Sequence, residues 1–334
     1  MLDTAPVWQD STPAAALRES VELARRVDRV GYRRYWVAEH HNAPFIASCA
    51  PPALVGQLAS STRHLRVGSG GVMLPNHPPL VIAEQFGTLE ALNPGRIDLG
   101  IGRSPGTDPN TARALRRVSS PSDSPVFKEQ LAELLGYFEP MEPDALGRRI
   151  AAVPATDSRP EVWLLGSSID NARHAGALGL PFAYAHHIRP AGTVDALAAY
   201  RDAFRASTTL ERPYAIISAA VIAADSDERA AWLAGPVGAI LLDKDMRVRN
   251  TANPTPHDVA VRAYTAVERA TMRRHMEAHL IGGPDTIRER AAELLARTGA
   301  DELMALSLIH GLDDRARSYE LLAQALLPVD THVG

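Results

Sequence analysis

Cysteine is almost missing from this chain: Cys49 is the only one in 334 residues. A lone thiol cannot close an internal disulfide, so a reducing cytoplasm is the expected compartment. Long apolar runs are missing too. No stretch approaches the ~18 residues of a membrane-crossing helix, and no basic segment followed by an apolar run opens the sequence. Neither a membrane span nor a secretory leader is therefore expected. Excess charge of one sign is also absent, since 35 Lys and Arg against 39 Asp and Glu leave a net charge of −4. The arginines are scattered in pairs such as Arg25-Arg26 and Arg116-Arg117, which suits solvated helix faces and disfavours nucleic acid as a partner. Finally, no G-x-G-x-x-G opens a helix after the first strand, which weighs against a doubly wound dinucleotide-binding sheet.

What is present is a regular alternation of elements. The stretch 65–106 shows it best. Leu65-Arg66-Val67-Gly68 is a short apolar run that ends in Gly68-Ser69-Gly70-Gly71. Pro78 and Pro79 stand where a helix can begin, because the first turn needs no proline N–H. Val81, Ile82, Gln85, Phe86, Leu89 and Leu92 recur at helical spacing until Asn93-Pro94-Gly95 stops them. A second strand over 96–101 leads into Gly102-Arg103-Ser104-Pro105-Gly106. The unit is thus βαβ with glycine at both strand exits.

Similar units flank it. Strands are predicted at 2–7, 35–38, 161–165, 182–185, 214–223 and 303–308, and helices at 12–30, 51–58, 126–137, 170–178, 194–204, 226–243, 257–279, 284–298 and 313–326. Residues 139–160 carry prolines and little periodicity, and 244–256 reads as a polar loop. Eight alternating units predict an α/β fold with a parallel sheet, closed as a (β/α)8 barrel, with insertions after strands 4 and 7. The whole chain, 1–334, is expected to form one domain, and a 46% hydrophobic composition supplies a core of that size.

Ligands of such barrels sit at the carboxyl ends of the strands. Three groups fall there. Arg103 carries a permanent charge able to grip a phosphate through parallel N–H bonds, and the glycines around it favour that reading over a surface ion pair. Gly166-Ser167-Ser168 precedes a helix, with Asn171 one turn on. Backbone N–H groups and two hydroxyls there make a phosphate cradle, but the same pattern also describes an ordinary serine N-cap, and the sequence leaves both open. Glu39-His40-His41 is the third. Adjacent histidines point to opposite sides of a strand end, and the spacing matches neither H-x-H nor H-E-x-x-H, so no metal is expected. His186-His187 is read as a loop pair near the pocket mouth. Gly70-Gly71 leaves room for a flat ligand against the backbone, or is merely a loose turn. Cys49 has no visible activating partner.

With these residues laid out, the chain resembles the bacterial luciferase-like flavin monooxygenases. The resemblance runs through LDTAPV (2–7), GYRRYWVAEHHN (31–42), the long stretch 65–108, VWLLGSS (162–168), GLPFAYAHH (179–187), TGADELMALS (298–307) and RSYELLA (317–323). It is weak over 109–160 and 235–280. It implies a barrel, usually dimeric, that binds reduced FMN (FMNH2) delivered by a separate NAD(P)H:flavin reductase. It further implies that O2 is activated as a flavin peroxide and that an organic small molecule is oxygenated.

By the same resemblance Arg103 holds the FMN phosphate, together with Gly166, Ser167, Ser168 and Asn171 at the strand–helix turn. Gly70, Gly71 and Val72 match the segment that lies against the flavin ring, where the family often has a cis peptide. His40 matches an active-site histidine that assists the oxygen chemistry. Gly102 departs from the pattern, standing where luciferase has a reactive cysteine, which argues against light emission. The loops 104–125 and 244–256 are expected to shape the substrate space. The rival readings are an F420-dependent dehydrogenase on the same barrel, disfavoured by Glu39-His40-His41, and a non-catalytic flavin-binding accessory barrel.

Overall fold

The computed structural model describes residues 1–116, 124–139, 150–242 and 251–327. Parts of the predicted substrate loops 104–125 and 244–256, and of the irregular stretch 139–160, lie outside them. Nine strands occur among the described residues: β1 (Leu2–Asp3), β2 (Arg34–Val37), β3 (Arg66–Met73), β4 (Ile97–Gly102), β5 (Glu161–Gly166), β6 (Phe182–Tyr184), β7 (Ala215–Ala223), β8 (Leu280–Gly282) and β9 (Glu302–Leu306). All pair in parallel, in the order β6-β5-β4-β3-β2-β1-β9-β7, and β6 pairs with β7 to close the ring. This is the predicted (β/α)8 barrel. The short β8 stands outside the ring and pairs only with the end of β7.

The helices are α1 (Pro13–Arg29), α2 (Pro51–Ser61), α3 (Pro79–Leu92), α4 (Pro109–Arg116), α5 (Ser124–Gly136), α6 (Ile169–Ala177), α7 (Thr193–Ala203), α8 (Asp227–Leu242), α9 (Pro256–Val261), α10 (Ala266–Met276), α11 (Pro284–Thr298) and α12 (Leu312–Leu326). Local chemistry sets their limits. Thr12 caps α1 by accepting a hydrogen bond from the Ala15 N–H at 3.2 Å, and proline opens α1, α2, α3 and α11. α11 ends at Gly299, which adopts φ 61°. The insertion after β4 holds α4 and α5, and the one after β7 holds α8, α9 and α10.

Alternation along each strand sorts the side chains into two cores. Val67, Ile97, Leu99, Ile101 and Val162 point outward and bury against helix residues such as Leu23, Leu58 and Phe86. Leu2, Trp36, Trp163, Ala183, Ile216 and Met304 point inward and fill the barrel. Below them, at the amino ends of the strands, the interior is charged. Asp98 is fully buried and receives Arg34 Nη1 at 2.7 Å, Arg66 Nη2 at 2.6 Å and Trp36 Nε1 at 2.8 Å. Arg34 also reaches Glu302 at 3.1 Å and stacks 4.7 Å above the Trp163 ring.

Three predicted elements differ from the structure, and one strand was not predicted. The first strand ends at Asp3, not at 7, because Ala5 turns to φ 48° and its N–H bonds Asp3 Oδ1 at 2.8 Å. Gly68 to Gly71, predicted as a turn, continue β3, with a bulge between Gly70 and Val72. A Cβ on Gly68 would stand 2.2 Å from the Asp98 carbonyl oxygen, so the glycine there answers a close approach of β4. The predicted helix 257–279 is two helices, each opened by its own capping box at Thr255 and Thr265. The chain then enters β8, which the sequence reading missed.

Candidate active site

The same inward–outward alternation builds the carboxyl-terminal mouth of the barrel. On β2 the inward series Arg34, Trp36 continues through residue 38 to His40. Beyond β6 the chain turns over 186–188, and His187 there is held against the inward Ser218 of β7. In the ring order β2 and β6 are four strands apart in either direction, so these two imidazoles stand on opposite sides of the mouth.

His40 Nδ1 lies 3.2 Å from the Gly106 carbonyl oxygen. A carbonyl only accepts, so Nδ1 carries the proton and donates it. Burial lowers the pKa of His40, outweighing the opposite pull of the Gly106 carbonyl and of Glu39. The ring is therefore neutral at pH 7 and its Nε2 presents a lone pair.

His41 does point the other way, as expected. Its Nε2 meets Glu39 Oε1 at 2.8 Å, His77 Nε2 meets the same oxygen at 2.8 Å, and the Met73 N–H donates to Glu39 Oε2 at 3.0 Å. Burial of the carboxyl would raise its pKa, but these hydrogen bonds prevail and hold it at about 2. Glu39 thus ties the end of β2 to the end of β3, beside His40. The ligand-type atoms of Glu39, His41 and His77 lie within 4.8 Å of one another, a cluster that the sequence spacing did not bring together. Both imidazoles sit at ordinary hydrogen-bond distance from one carboxylate oxygen, and this geometry makes the cluster a clamp.

The wall between the two histidines is glycine. Gly70, Gly71, Gly100 and Gly102 line the inner side of β3 and β4, and the Gly70–Gly71 peptide is cis, as the family resemblance implied. Val72 is fully buried and turns its side chain into the helix-facing core, leaving only its backbone toward the barrel mouth. Gly102, where luciferase has a cysteine, has its empty space taken: a Cβ there would lie 2.8 Å from Met73 Cε and 3.0 Å from Sδ.

Arg103 is the first residue beyond β4 and, by alternation, turns outward. It lines a pocket of about 370 Å³ with Phe127, Lys128, Asp170, Asn171, Arg173 and His174. The structure therefore brings Arg103 and Asn171 together. It adds two cations, Lys128 and Arg173, that the sequence reading did not single out. Both lie on helices whose exposed faces gave no signal. Ser168 is the N-cap of α6, its Oγ accepting the Asn171 N–H at 3.3 Å, so the ordinary capping role is real. Ser167 and Gly166 form the strand–helix turn beside it. His174 Nε2 is buried and has no hydrogen-bond partner among the described residues, and burial together with Lys128 lowers the pKa of that ring. A pocket with three cationic side chains, Arg103, Lys128 and Arg173, against one carboxylate, Asp170, fits the phosphate of a nucleotide-like cofactor.

His187 lies in the turn that follows β6, the loop position predicted for it. Its Nδ1 lies 3.0 Å from Ser218 Oγ and 3.2 Å from the Ser218 carbonyl oxygen, on the inner face of β7. Cys49 is exposed and follows Ser48, whose carbonyl receives the His40 backbone N–H at 3.0 Å.

Comparison with known proteins gives a consistent result. The family model described as luciferase-like monooxygenase matches residues 1–302. A protein of Escherichia coli strain K12 called luciferase-like monooxygenase is 42% identical over 96% of this chain and 94% of its own length. An N-acetyl-S-alkylcysteine monooxygenase of Bacillus subtilis strain 168 is 41% identical over 62% of this chain and 61% of its own. Among solved structures, apo-MsnO8 superposes with a TM-score of 0.85 at 36% identity, covering 97% of each chain.

Proposed function

The chain belongs to the luciferase-like monooxygenase family, and we propose that it binds reduced FMN, reacts with O2 and oxygenates an organic small molecule. The observation that carries this reading is the pocket of Arg103, Lys128, Asn171 and Arg173 at the ends of β4 and β5, next to a glycine wall and an inward imidazole. In it Arg103, Lys128 and Arg173 would hold the phosphate, with the amino end of α6 contributing its dipole. Gly70, Gly71 and the Val72 backbone would lie along the ring.

Bound there, reduced flavin would supply the electrons and the site of oxygen activation. The chain's own residues do the rest. The glycines admit a flat group close to the backbone. Leu2, Trp36 and Trp163 seal the barrel floor against water from below. His40 Nε2 accepts a proton in the mouth and returns it, while the Gly106 carbonyl keeps the other nitrogen protonated. Substrate enters from the carboxyl-terminal face, where the β4 and β7 insertions lie. A homodimer, a separate NAD(P)H:flavin reductase and a cytoplasmic location complete the proposal. No helix among the described residues is long and apolar enough to cross a membrane.

Arg103→Ala tests the cofactor assignment. Loss of a charged hydrogen bond costs ~1.5–3 kcal/mol, so anaerobic titration should show affinity for reduced FMN falling by ~10- to 150-fold. The same change should leave riboflavin, which has no phosphate, almost unaffected. Unchanged FMN affinity would remove Arg103 from the phosphate site.

A further inference from the structure

His187 stands outside everything assigned above, yet its surroundings are as specific as those of His40. Two oxygens of Ser218 face its Nδ1, the hydroxyl at 3.0 Å and the carbonyl at 3.2 Å. The carbonyl can only accept. The hydroxyl lies 3.3 Å from the Tyr184 carbonyl and can spend its own hydrogen there. A proton on Nδ1 satisfies both oxygens, whereas a lone pair would face that of the carbonyl. The backbone supports the same pose, because the His187 N–H donates to the Ser218 carbonyl at 2.9 Å. Ser218 points into the barrel, so the ring it holds does too.

We propose that His187, locked by Ser218 as its Nδ1–H tautomer, is a second hydrogen-bond-accepting imidazole of the mouth, and that its Nε2 receives an O–H or N–H donor of the molecule bound between it and His40. Two acceptors facing each other across a barrel select for a donor-bearing guest, since a guest without one leaves a buried lone pair unmet. The groups around His187 agree. Burial is the largest influence, and the nearby His279, His186 and His40 add to it, outweighing the Ser218 carbonyl and bringing the pKa down to about 4. The ring thus stays an acceptor throughout the physiological range. His186 itself turns away and pairs through Nδ1 with Thr193 Oγ1 at 2.7 Å. The donor can come from substrate or from the N–H groups of reduced flavin. The flavin arm of this inference rests on the function proposed above.

Long-range ¹H–¹⁵N spectra of the ¹⁵N-labelled full chain test it without turnover. In the ligand-free protein at pH 7 the His187 Nε2 should resonate as an unprotonated nitrogen and Nδ1 as a protonated one. The opposite tautomer overturns the proposal. Phenol and anisole are then added separately, followed by oxidised and reduced FMN under argon. An upfield shift of Nε2 with phenol and none with anisole places the donor on a substrate-like molecule. A shift with reduced but not oxidised FMN places it on the flavin. Absence of both shifts contradicts the acceptor role. If FMN moves no resonance at all, the cofactor reading fails while the tautomer and phenol results still judge His187. Phenol binding should weaken about two- to tenfold in His187→Phe, the range for one neutral hydrogen bond, and recover partly in His187→Gln, whose amide oxygen can accept. Equal binding by wild type and His187→Phe would also overturn it.

Discussion

Replacing His40 by alanine should lower product formation by ~10²- to 10⁴-fold, the usual contribution of a positioned acid–base group, while sparing affinity for reduced FMN. The two effects separate because His40 belongs to the inner wall of the mouth and the cation pocket lies outward, beyond β4 and β5. The Nδ1–H of His40 is committed to Gly106, and that bond fixes which nitrogen is free. Alanine removes the free lone pair and leaves the Gly106 carbonyl to water. His40→Gln preserves volume and one donor but cannot carry a proton, so its yield should resemble that of alanine. The measurement is single-turnover product formation with premixed reduced FMN, alongside a flavin titration of each variant. Full yield in His40→Ala would end the catalytic assignment. Loss of flavin binding in step with yield would make His40 a structural residue of the cofactor site.

Asp98→Ala should have its effect at the opposite end of the barrel. It removes the carboxylate that joins Arg34, Arg66 and Trp36, and it leaves the Arg34 guanidinium, 2% exposed, short of its best partner. Breaking a buried pair from one side costs ~3–5 kcal/mol, because the remaining charge has neither water nor a counter-ion. Glu302 and Glu161 stay near Arg34, at 3.1 Å and 3.4 Å, and should hold the loss toward the lower end of that range. Urea unfolding of wild type and variant reads the difference. Flavin affinity measured well below the unfolding transition should hardly change, since the amino-terminal end of such a barrel serves stability and the carboxyl-terminal end serves chemistry. A loss under about 1 kcal/mol, typical of a surface pair, would show that Arg34 is satisfied by its glutamates alone.

How far the sequence carried depended on whether the signal was local. The βαβ unit over 65–106 was legible because proline, helical spacing and glycine punctuation all mark boundaries within a few residues. So were Arg103, directly after a strand, and Asn171, in the first turn of the helix after one. The glycines of β3 were misread, since a glycine run looks like a turn unless one knows that Asp98 and Gly100 press against it from the next strand. The first strand was overextended because the Ala5 turn is set by the Asp3 side chain. β8 has three residues and pairs only with the end of β7, too little pattern to detect. Lys128 and Arg173 look like any solvated helix charges until the fold places them beside Arg103. The Glu39–His41–His77 clamp joins groups 36 residues apart in the chain, His41 and His77, which no spacing motif encodes. His187 was legible as a loop residue near the mouth, but its lock by Ser218 depends on β7, 31 residues away, which no local pattern encodes.

The central claim is that this barrel uses reduced FMN to react with oxygen. Its most direct test titrates the purified protein anaerobically with reduced FMN and, separately, with reduced F420, then mixes each complex rapidly with oxygenated buffer while absorbance is followed. The account predicts tight, selective binding of reduced FMN and, after mixing, a transient spectrum that belongs to neither reduced nor oxidised flavin. Selective binding of F420 with no oxygen-dependent transient would contradict it and place the chain among dehydrogenases of the same fold.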